Sequence, residues 1–124
     1  MAITRDIAVT SAGVNRYLVS WTGRKPGETD SFTADGPGFT METADMLTLN
    51  RDYGLELGEK LYRFLDGDAR HFESALREAH DAGNTLVIYF SLDPGVRDWP
   101  FELLAREGAF LGLDNLHVVR KVSD

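Results

Sequence analysis

Two short runs of apolar residues stand in the last third of the chain. Residues 86–90 read Leu-Val-Ile-Tyr-Phe, and residues 116–119 read Leu-His-Val-Val, rich in β-branched residues. Neither run shows the apolar–polar alternation of a strand with one solvated face. Such runs are typical of strands buried on both faces, as in a parallel sheet covered by helices. The pattern therefore predicts two central strands of an α/β fold.

The first third of the chain shows the alternation that those runs lack. Apolar side chains recur at every second position in residues 7–9 and again in residues 17–21, and residues 11–15 supply turn chemistry between them. This pattern predicts a β-hairpin with one apolar face. Residues 29–34 predict a third, short antiparallel strand, which the Gly-Pro-Gly sequence at 36–38 ends.

The middle of the chain has apolar residues at helical spacing. The predicted helices, each written with its capping residue, are 40–47 with Thr40, 53–65 with Asp52, and 69–82 with Asp68. Gly83 follows the last of them at the position where a C′ glycine ends a helix.

The residues after the strand at 86–90 are divided by turn signals. The pattern predicts a compact loop at 93–95, a short helix or turn at 101–105, a short strand at 110–113 and a last strand at 116–120. Helices before one buried strand and a second buried strand after it fit a layered α/β fold. We expect one α/β domain over residues 1–124, with a mixed sheet, a β-rich start and flanking helices.

Composition narrows the classes of function. The chain has 124 residues, a formal net charge of −7 and no cysteine. The acidic charge argues against binding a nucleic-acid backbone or an anionic membrane surface. The absence of cysteine excludes disulfides, thiolate metal sites and a cysteine nucleophile within these residues. No apolar run approaches the roughly 20 residues of a spanning helix, and residues 1–6 lack the features of a signal peptide. We expect a soluble, cytoplasmic protein.

The order of motifs from residue 55 to residue 120 resembles the N-terminal portion of CHAT domains, bacterial caspase-like modules often found beside tetratricopeptide repeats. The first 54 residues match only loosely, as a β-rich start. The residues that carry the resemblance are Gly58, Leu61, Phe64, Leu65, Leu76, Gly83, Leu86, Leu92, Asp93, Pro100, Glu102, Leu103, Leu104, Phe110, Leu111, Leu113, Val118, Val119 and Arg120. The resemblance implies a caspase-like, p20-like N-terminal portion. In one place the chain departs from the family, because Phe101 stands where the family usually has tryptophan. Phenylalanine keeps an aromatic plug but has no indole N–H donor.

The resemblance implies no catalytic residue in this chain. A CHAT peptidase resembles caspases in using a His–Cys dyad that follows the Val-Val-Arg strand, and the four residues after Arg120 contain neither residue. We also expect no cofactor and no metal site. His71 and His80 lie nine residues apart on one predicted helix, so they point in different directions, and we expect both to face solvent. We expect His117 to be a hydrogen-bonded structural imidazole within its strand.

Glu102 has two interpretations. The resemblance implies that it anchors backbone amides or an arginine near the active-site side of the sheet. The alternative is a surface helix cap on the turn that begins at Pro100. We favour a structural pairing, and Arg120 is the expected partner because it ends a buried strand. Glu102, Arg120, Phe101 and Val118 are thus the structural or interaction candidates.

Three functions remain open. The first is a non-catalytic module of a CHAT-type protein that acts through protein association, by self-association or with a partner protein. The second is a subunit or fragment of a CHAT-type cysteine peptidase whose His and Cys lie outside this chain. The third is a small-ligand regulatory domain. Since the strand at 116–120 is near the end of the chain, we expect an exposed strand edge or sheet face there, and exposed edges template pairing with another chain.

Overall fold

In the part of the chain that the structure describes, a five-stranded mixed sheet packs with two helices. The computed structural model describes residues 3–23, 29–36, 51–96, 99, 101–106, 109–111 and 116–120, with the backbone alone for 51–53, 109 and 110. The strands are β1 Ile3–Gly13, β2 Arg16–Thr22, β3 Thr29–Asp35, β4 Leu86–Leu92, β5 Ala105–Arg106, β6 Ala109–Phe110 and β7 Leu116–Arg120. The helices are α1 Arg51–Asp66 and α2 His71–Asp81, and a 3₁₀ turn spans Phe101–Leu103.

The sheet joins an antiparallel half to a parallel half. Its strand order is β3-β2-β1-β4-β7, and β5 and β6 form a separate two-stranded ribbon. β1 pairs antiparallel with β2 and β2 with β3, whereas β1–β4 and β4–β7 are parallel. The predicted mixed α/β fold, the hairpin, the third strand and the two later strands are confirmed. β4 is central, but β7 is the outermost described strand on its side, so the prediction of two central strands is wrong for β7.

One face of the sheet packs against the helices and forms the core. The sheet contributes Ile7, Val9, Val19, Trp21, Leu86, Ile88 and Phe90, and the helices contribute Leu57, Leu61, Leu65, Phe72, Ala75 and Ala79. The sheet residues are alternate positions of their strands, and the helical residues recur at three- and four-residue spacing. Fully burying a large apolar side chain contributes about 1.5–3 kcal/mol, so this shared face holds the layers together.

The other face of the parallel strands is not deeply buried. On β4, Val87 and Tyr89 are half-buried while Leu86, Ile88 and Phe90 on the core side are inaccessible to solvent. The prediction that both apolar runs are buried on both faces is therefore wrong. Both described helices, α1 and α2, pack their apolar residues into the core on the side of Leu86, Ile88 and Phe90.

The start of α2 differs from the sequence prediction. Arg70, in the left-handed conformation with φ 54°, is the N-cap residue, and its side chain makes no capping bond. The carboxylate of Asp66, at the end of α1, instead accepts a 2.9 Å hydrogen bond from the backbone N–H of Glu73. Asp66 therefore satisfies an orphan donor of the first turn in place of Asp68. Asp52 likewise lies within α1, which includes Arg51, and not at a cap position.

The end of α2 is as predicted. Gly83 has φ 68°, its N–H donates to the His80 carbonyl at 3.0 Å, and the Asn84 N–H donates to the Ala79 carbonyl at 2.9 Å. This pair of bonds is a Schellman motif, which needs the left-handed conformation that glycine adopts without steric cost.

Shorter elements follow β4. The helix predicted at 101–105 is the 3₁₀ turn followed by β5, and the strand predicted at 110–113 is β6, Ala109–Phe110. The helix predicted at 40–47 lies outside the described residues. α1 packs against β5 and the 3₁₀ turn, and a Cβ at the buried Gly58 would overlap the Leu103 carbonyl oxygen and lie 2.9 Å from the Ala105 Cβ. Glycine is therefore required for this close approach.

Candidate functional site

The candidate residues meet at the carboxyl ends of the parallel strands. In open α/β sheets, ligands bind outside this edge, in the crevice between the loops that follow the strands. The chain leaves β4 there and returns through Trp99 and the 3₁₀ turn, while β7 ends at the same edge with Arg120. The fold thus brings Phe101, Glu102 and Arg120 together from positions that are distant in sequence.

Arg120 and Glu102 form a two-bond ion pair. The Arg120 Nε donates to the Glu102 Oε1 at 2.5 Å, and the Arg120 Nη2 donates to the Glu102 Oε2 at 2.8 Å. The Nη2 also donates to the backbone carbonyl of Trp99 at 2.6 Å. The predicted pairing is confirmed. Its planar, bidentate geometry fixes the end of β7 to the segment that follows β4.

The ion pair sets the charge state of Glu102. Hydrogen bonding from the Arg120 guanidinium holds the pKa of the Glu102 carboxyl below its usual value, although partial burial acts in the opposite direction. A general acid or base works best with a pKa near the working pH. Glu102 is shifted away from neutrality and is already bonded, so the arrangement suits a structural lock better than proton transfer.

Phe101 fills the space beneath the ion pair. Its side chain is inaccessible to solvent, and its ring stacks on Phe90 of β4 with centroids 4.5 Å apart and planes 22° apart. The Arg120 guanidinium lies 5.7 Å from the centroid of the Phe101 ring, within the range of a cation–π contact. The aromatic plug is therefore present without an indole N–H, and the cation lies over its face.

The loop after β4 is also bonded to β1. The Asp93 N–H donates to the Val9 carbonyl at 3.0 Å, and the Asp93 carboxylate accepts from the Ser11 N–H at 2.9 Å. Asp93 thus continues the β1–β4 pairing into the loop. Its visible role is to hold the loop.

Val118 and His117 lie on opposite faces of β7. Val118 pairs with Ile88 and packs partly buried against the core, whereas His117 is exposed on the other face. The prediction that His117 is a hydrogen-bonded structural imidazole within the sheet is wrong, because the face on which it lies is open to solvent at this position.

A second cluster of polar and aromatic side chains lies between the hairpin and α2. The His71 ring stacks on Trp21 and Phe32, with centroid distances of 6.0 Å and 5.7 Å. His80 is exposed, as predicted, but His71 is half-buried, so the prediction that it faces solvent is wrong. The helical pattern alone gives no sign of this stack, because both aromatic partners come from distant strands.

Arg5 is the charged residue that sequence reasoning missed. It is 8% exposed, donates to the Thr4 carbonyl at 2.7 Å and forms an ion pair with Glu78 of α2. The sequence does indicate its burial, because Arg5, Ile7 and Val9 are alternate residues of β1. Their side chains therefore lie on the same face of the strand, which is the core face. Together with Trp21 and His71, this pair lines an open cleft of about 730 Å³.

Comparison of the chain with known proteins finds no relative. No family model, no curated protein and no solved structure matches this chain. Within the described ranges, no group of three or more His, Asp or Glu side chains is arranged to hold a metal ion. None of the described helices is long and apolar enough to span a bilayer.

Proposed function

We propose that this chain is a non-catalytic protein-association module that resembles the N-terminal portion of a CHAT domain. Two features support the proposal against an enzyme. The sequence has no cysteine, and the acid at the candidate site, Glu102, is held in a bidentate pair with Arg120. We therefore assign Asp93 and Glu102, two residues on which the resemblance rests, a role in stabilising the fold. Asp93 bonds to the backbone of β1, and Glu102 bonds to Arg120.

The observation that carries the proposal is the position of β7. Among the described strands β7 pairs with β4 alone, and it presents an exposed His117 between half-buried or buried apolar neighbours. The strand contains neither lysine nor proline, two residues that natural proteins use to block an edge. An extended segment of a second chain added to β7 would continue the sheet by β-augmentation.

Sedimentation tests this association, with a second copy of the chain as the first partner. We expect the wild-type protein at tens of micromolar to sediment as an associated species. Val119→Lys should convert it to a monomer, because a lysine on the edge strand opposes pairing. Val119 is the better target than Val118, which faces the core side. A wild-type protein that sediments as a monomer at this concentration would contradict self-association through β7.

Val87→Lys provides the matched control. Val87 is half-buried on the same face as Val119, but it lies on β4, whose two neighbours in the sheet are occupied by β1 and β7. Its substitution changes the charge of the face without changing the edge. If both variants are monomeric, the association uses the face and not the edge strand.

Peptidase assays separate the proposal from the enzyme alternative. We expect the chain alone to cleave no substrate in a fluorogenic panel with basic and acidic P1 residues, since it contains no cysteine to act as the nucleophile. Turnover that survives repeated purification would favour an enzyme.

A further inference from the structure

β3 is joined to the rest of the molecule chiefly along one seam. It pairs antiparallel with β2 over its whole length, and it is the outermost described strand on the hairpin side of the sheet. The side chains that bond across this seam in the described residues are solvent-exposed, and they join Ser20 to Ser31, Thr22 to Thr29, and Arg16 to both Thr33 and Asp35. Exposed polar pairs contribute little to stability. The backbone ladder with β2 is therefore the main connection of β3 to the sheet.

On the helix side, β3 has one large anchoring side chain. Within Thr29–Asp35, Phe32 and Ala34 are half-buried and the other residues are exposed. The Phe32 ring stacks on His71 of α2, with centroids 5.7 Å apart and planes 11° apart. The same ring lies against the turn between the helices, because a Cβ added at Gly67 would be 2.8 Å from it. The other core contact of β3 is made by the small side chain of Ala34.

Open space separates most of β3 from the helices. A groove of about 940 Å³ lies between β3 and the region where α1 turns into α2, and its lining includes every residue from Asp30 to Asp35. A second cleft, of about 730 Å³, shares Asp30 and His71 with that lining and extends along α2. Among the described residues, no ion pair crosses either space from β3 to a helix. β3 is therefore not packed on the helices over most of its length.

β2 is anchored far more firmly than β3. Val19 is inaccessible to solvent and Trp21 is 5% exposed, and both belong to the core. The Trp21 indole N–H donates to the Leu65 carbonyl of α1 at 2.8 Å. β2 also pairs with β1, which is flanked on its other side by β4. None of these contacts involves β3, so they remain in place when the contacts of β3 are broken.

From this difference we propose that β3 is a strap that opens as a unit while the β2-β1-β4-β7 sheet and both helices stay folded. Opening breaks the seam with β2 and withdraws Phe32 from His71 and from the Gly67 turn. The backbone edge of β2 is then uncovered, so β3 controls whether that edge is accessible. Segments with few buried apolar contacts and solvent-exposed hydrogen bonds are those that open at low free energy. The inference does not depend on association through β7, at the other end of the strand order.

Hydrogen exchange of individual backbone amides tests the strap in the intact chain. We expect the β3 amides that bond to β2 to exchange on the order of a hundredfold faster than the amides of β4, which open only in global unfolding. On β2, alternate residues bond to β3 and to β1. The amides directed to β3 should exchange with the strap, and those directed to β1 should stay protected. Equal protection in β3 and β4, or no protection in β3, would overturn the proposal.

Two substitutions separate the strap from the rest of the fold. Phe32→Ala should speed exchange about tenfold in β3 and β4 alike, since both the local and the global opening break the Phe32 contacts. Ile88→Val is the matched control in β4, where Ile88 is inaccessible to solvent. Its contacts persist when β3 opens, so exchange should rise about fivefold in β4 and stay unchanged in β3. Should Phe32→Ala fail to fold, Phe32→Leu takes its place, with an effect of about threefold in both strands. Exchange in β3 that rises with Ile88→Val would show that β3 unfolds only together with the core.

A removable cross-link holds the strap closed. The chain has no cysteine, so Ser20→Cys combined with Ser31→Cys introduces one defined pair, at opposed residues whose hydroxyl oxygens are 2.9 Å apart. Directly opposed residues of antiparallel strands have Cβ atoms close enough for a disulfide. Once mass spectrometry shows the bond, we expect exchange in β3 to be at least tenfold slower than in the same protein under reductant. Exchange in β3 that is the same in both states would overturn the proposal, because it would not require release of β3 from β2.

Discussion

The two halves of the sheet end in different ways. In the parallel half, the carboxyl end of β7 is closed by internal bonds, with Arg120 held between Glu102, the Trp99 carbonyl and the Phe101 ring. In the antiparallel half, β3 leaves most of its residues exposed. The polar residues at the carboxyl end of the parallel strands are thus used for internal bonding, whereas β3 offers the more open surface. The region with the most polar sequence motifs is therefore not the region with the most exposed surface.

The antiparallel half is nevertheless fixed from within. The Trp21 indole N–H donates to the Leu65 carbonyl at 2.8 Å, and the Trp21 ring contacts Phe72 edge-on at 5.4 Å. Leu65 lies in the last turn of α1, where carbonyls have no partner within the helix. Trp21 therefore caps α1 from the sheet. The two halves differ in the exposure of their outermost described strand, but internal polar contacts fix both.

The largest expected effect is at the junction of α1 with the parallel half. Gly58→Ala should lower the free energy of unfolding by about 3 kcal/mol or more, because overpacking against backbone forces main-chain shifts. The added Cβ would overlap the Leu103 carbonyl, which precedes β5. Urea unfolding followed by circular dichroism measures the change. Gly95→Ala is the control, since a Cβ there has nothing within 4 Å, and it should be neutral or slightly stabilising. Equal midpoints for the two variants would show that α1 does not approach the 3₁₀ turn this closely.

Trp21→Phe tests the lock of the antiparallel half. We expect a loss of about 2 kcal/mol, since the buried Leu65 carbonyl loses its donor and the smaller ring leaves a void. Tyr17→Phe on the same strand is the control. It keeps the ring that contacts Phe64 and Trp99, and no described residue bonds to its hydroxyl, so it should change stability little. A Trp21→Phe protein as stable as wild type would mean that the indole N–H contributes nothing to the end of α1.

Sequence reasoning found most of the framework because periodicity is a local property. Alternation in residues 7–9 and 17–21 gave the hairpin, and Glu102 with Arg120 could be paired because a strand-ending arginine needs an anion. Other features depend on tertiary geometry. Asp66 caps α2 only because the Gly67 turn brings the two helices together, and His71 lies in an aromatic stack only because β2 and β3 reach α2. The need for glycine at position 58 also depends on tertiary geometry, because the close approach of Leu103 involves a segment more than 40 residues away.

Glu102→Gln tests the lock of the parallel half, with a smaller expected effect than Trp21→Phe. The Glu102 side chain is 56% exposed and that of Arg120 is 31% exposed, so solvent screens the pair and we expect a loss of about 1 kcal/mol. Glu56→Gln is the control, because Glu56 meets Lys60 at 3.7 Å in an exposed i,i+4 pair that contributes only about 0.3–0.5 kcal/mol. If the two variants lose the same stability, the bidentate geometry adds nothing to an ordinary surface pair.

The smallest effect is the pH dependence of that same lock. Because the Arg120 hydrogen bonds lower the pKa of Glu102 in the folded state below its usual 4.5, the ionised carboxylate favours folding. This contribution is fully present above the unfolded pKa and is lost as the pH falls through the lowered folded value. The difference in unfolding free energy between wild type and Glu102→Gln should therefore be constant near about pH 6 and shrink toward about pH 3. The free energy of unfolding of both proteins is measured by urea titration at each pH. The contributions of the other carboxylates cancel in the difference, because both proteins contain them. A difference that stays constant or grows on acidification would show that Glu102 is not held as a carboxylate by Arg120, and the parallel end of the sheet would then lack its ionic lock.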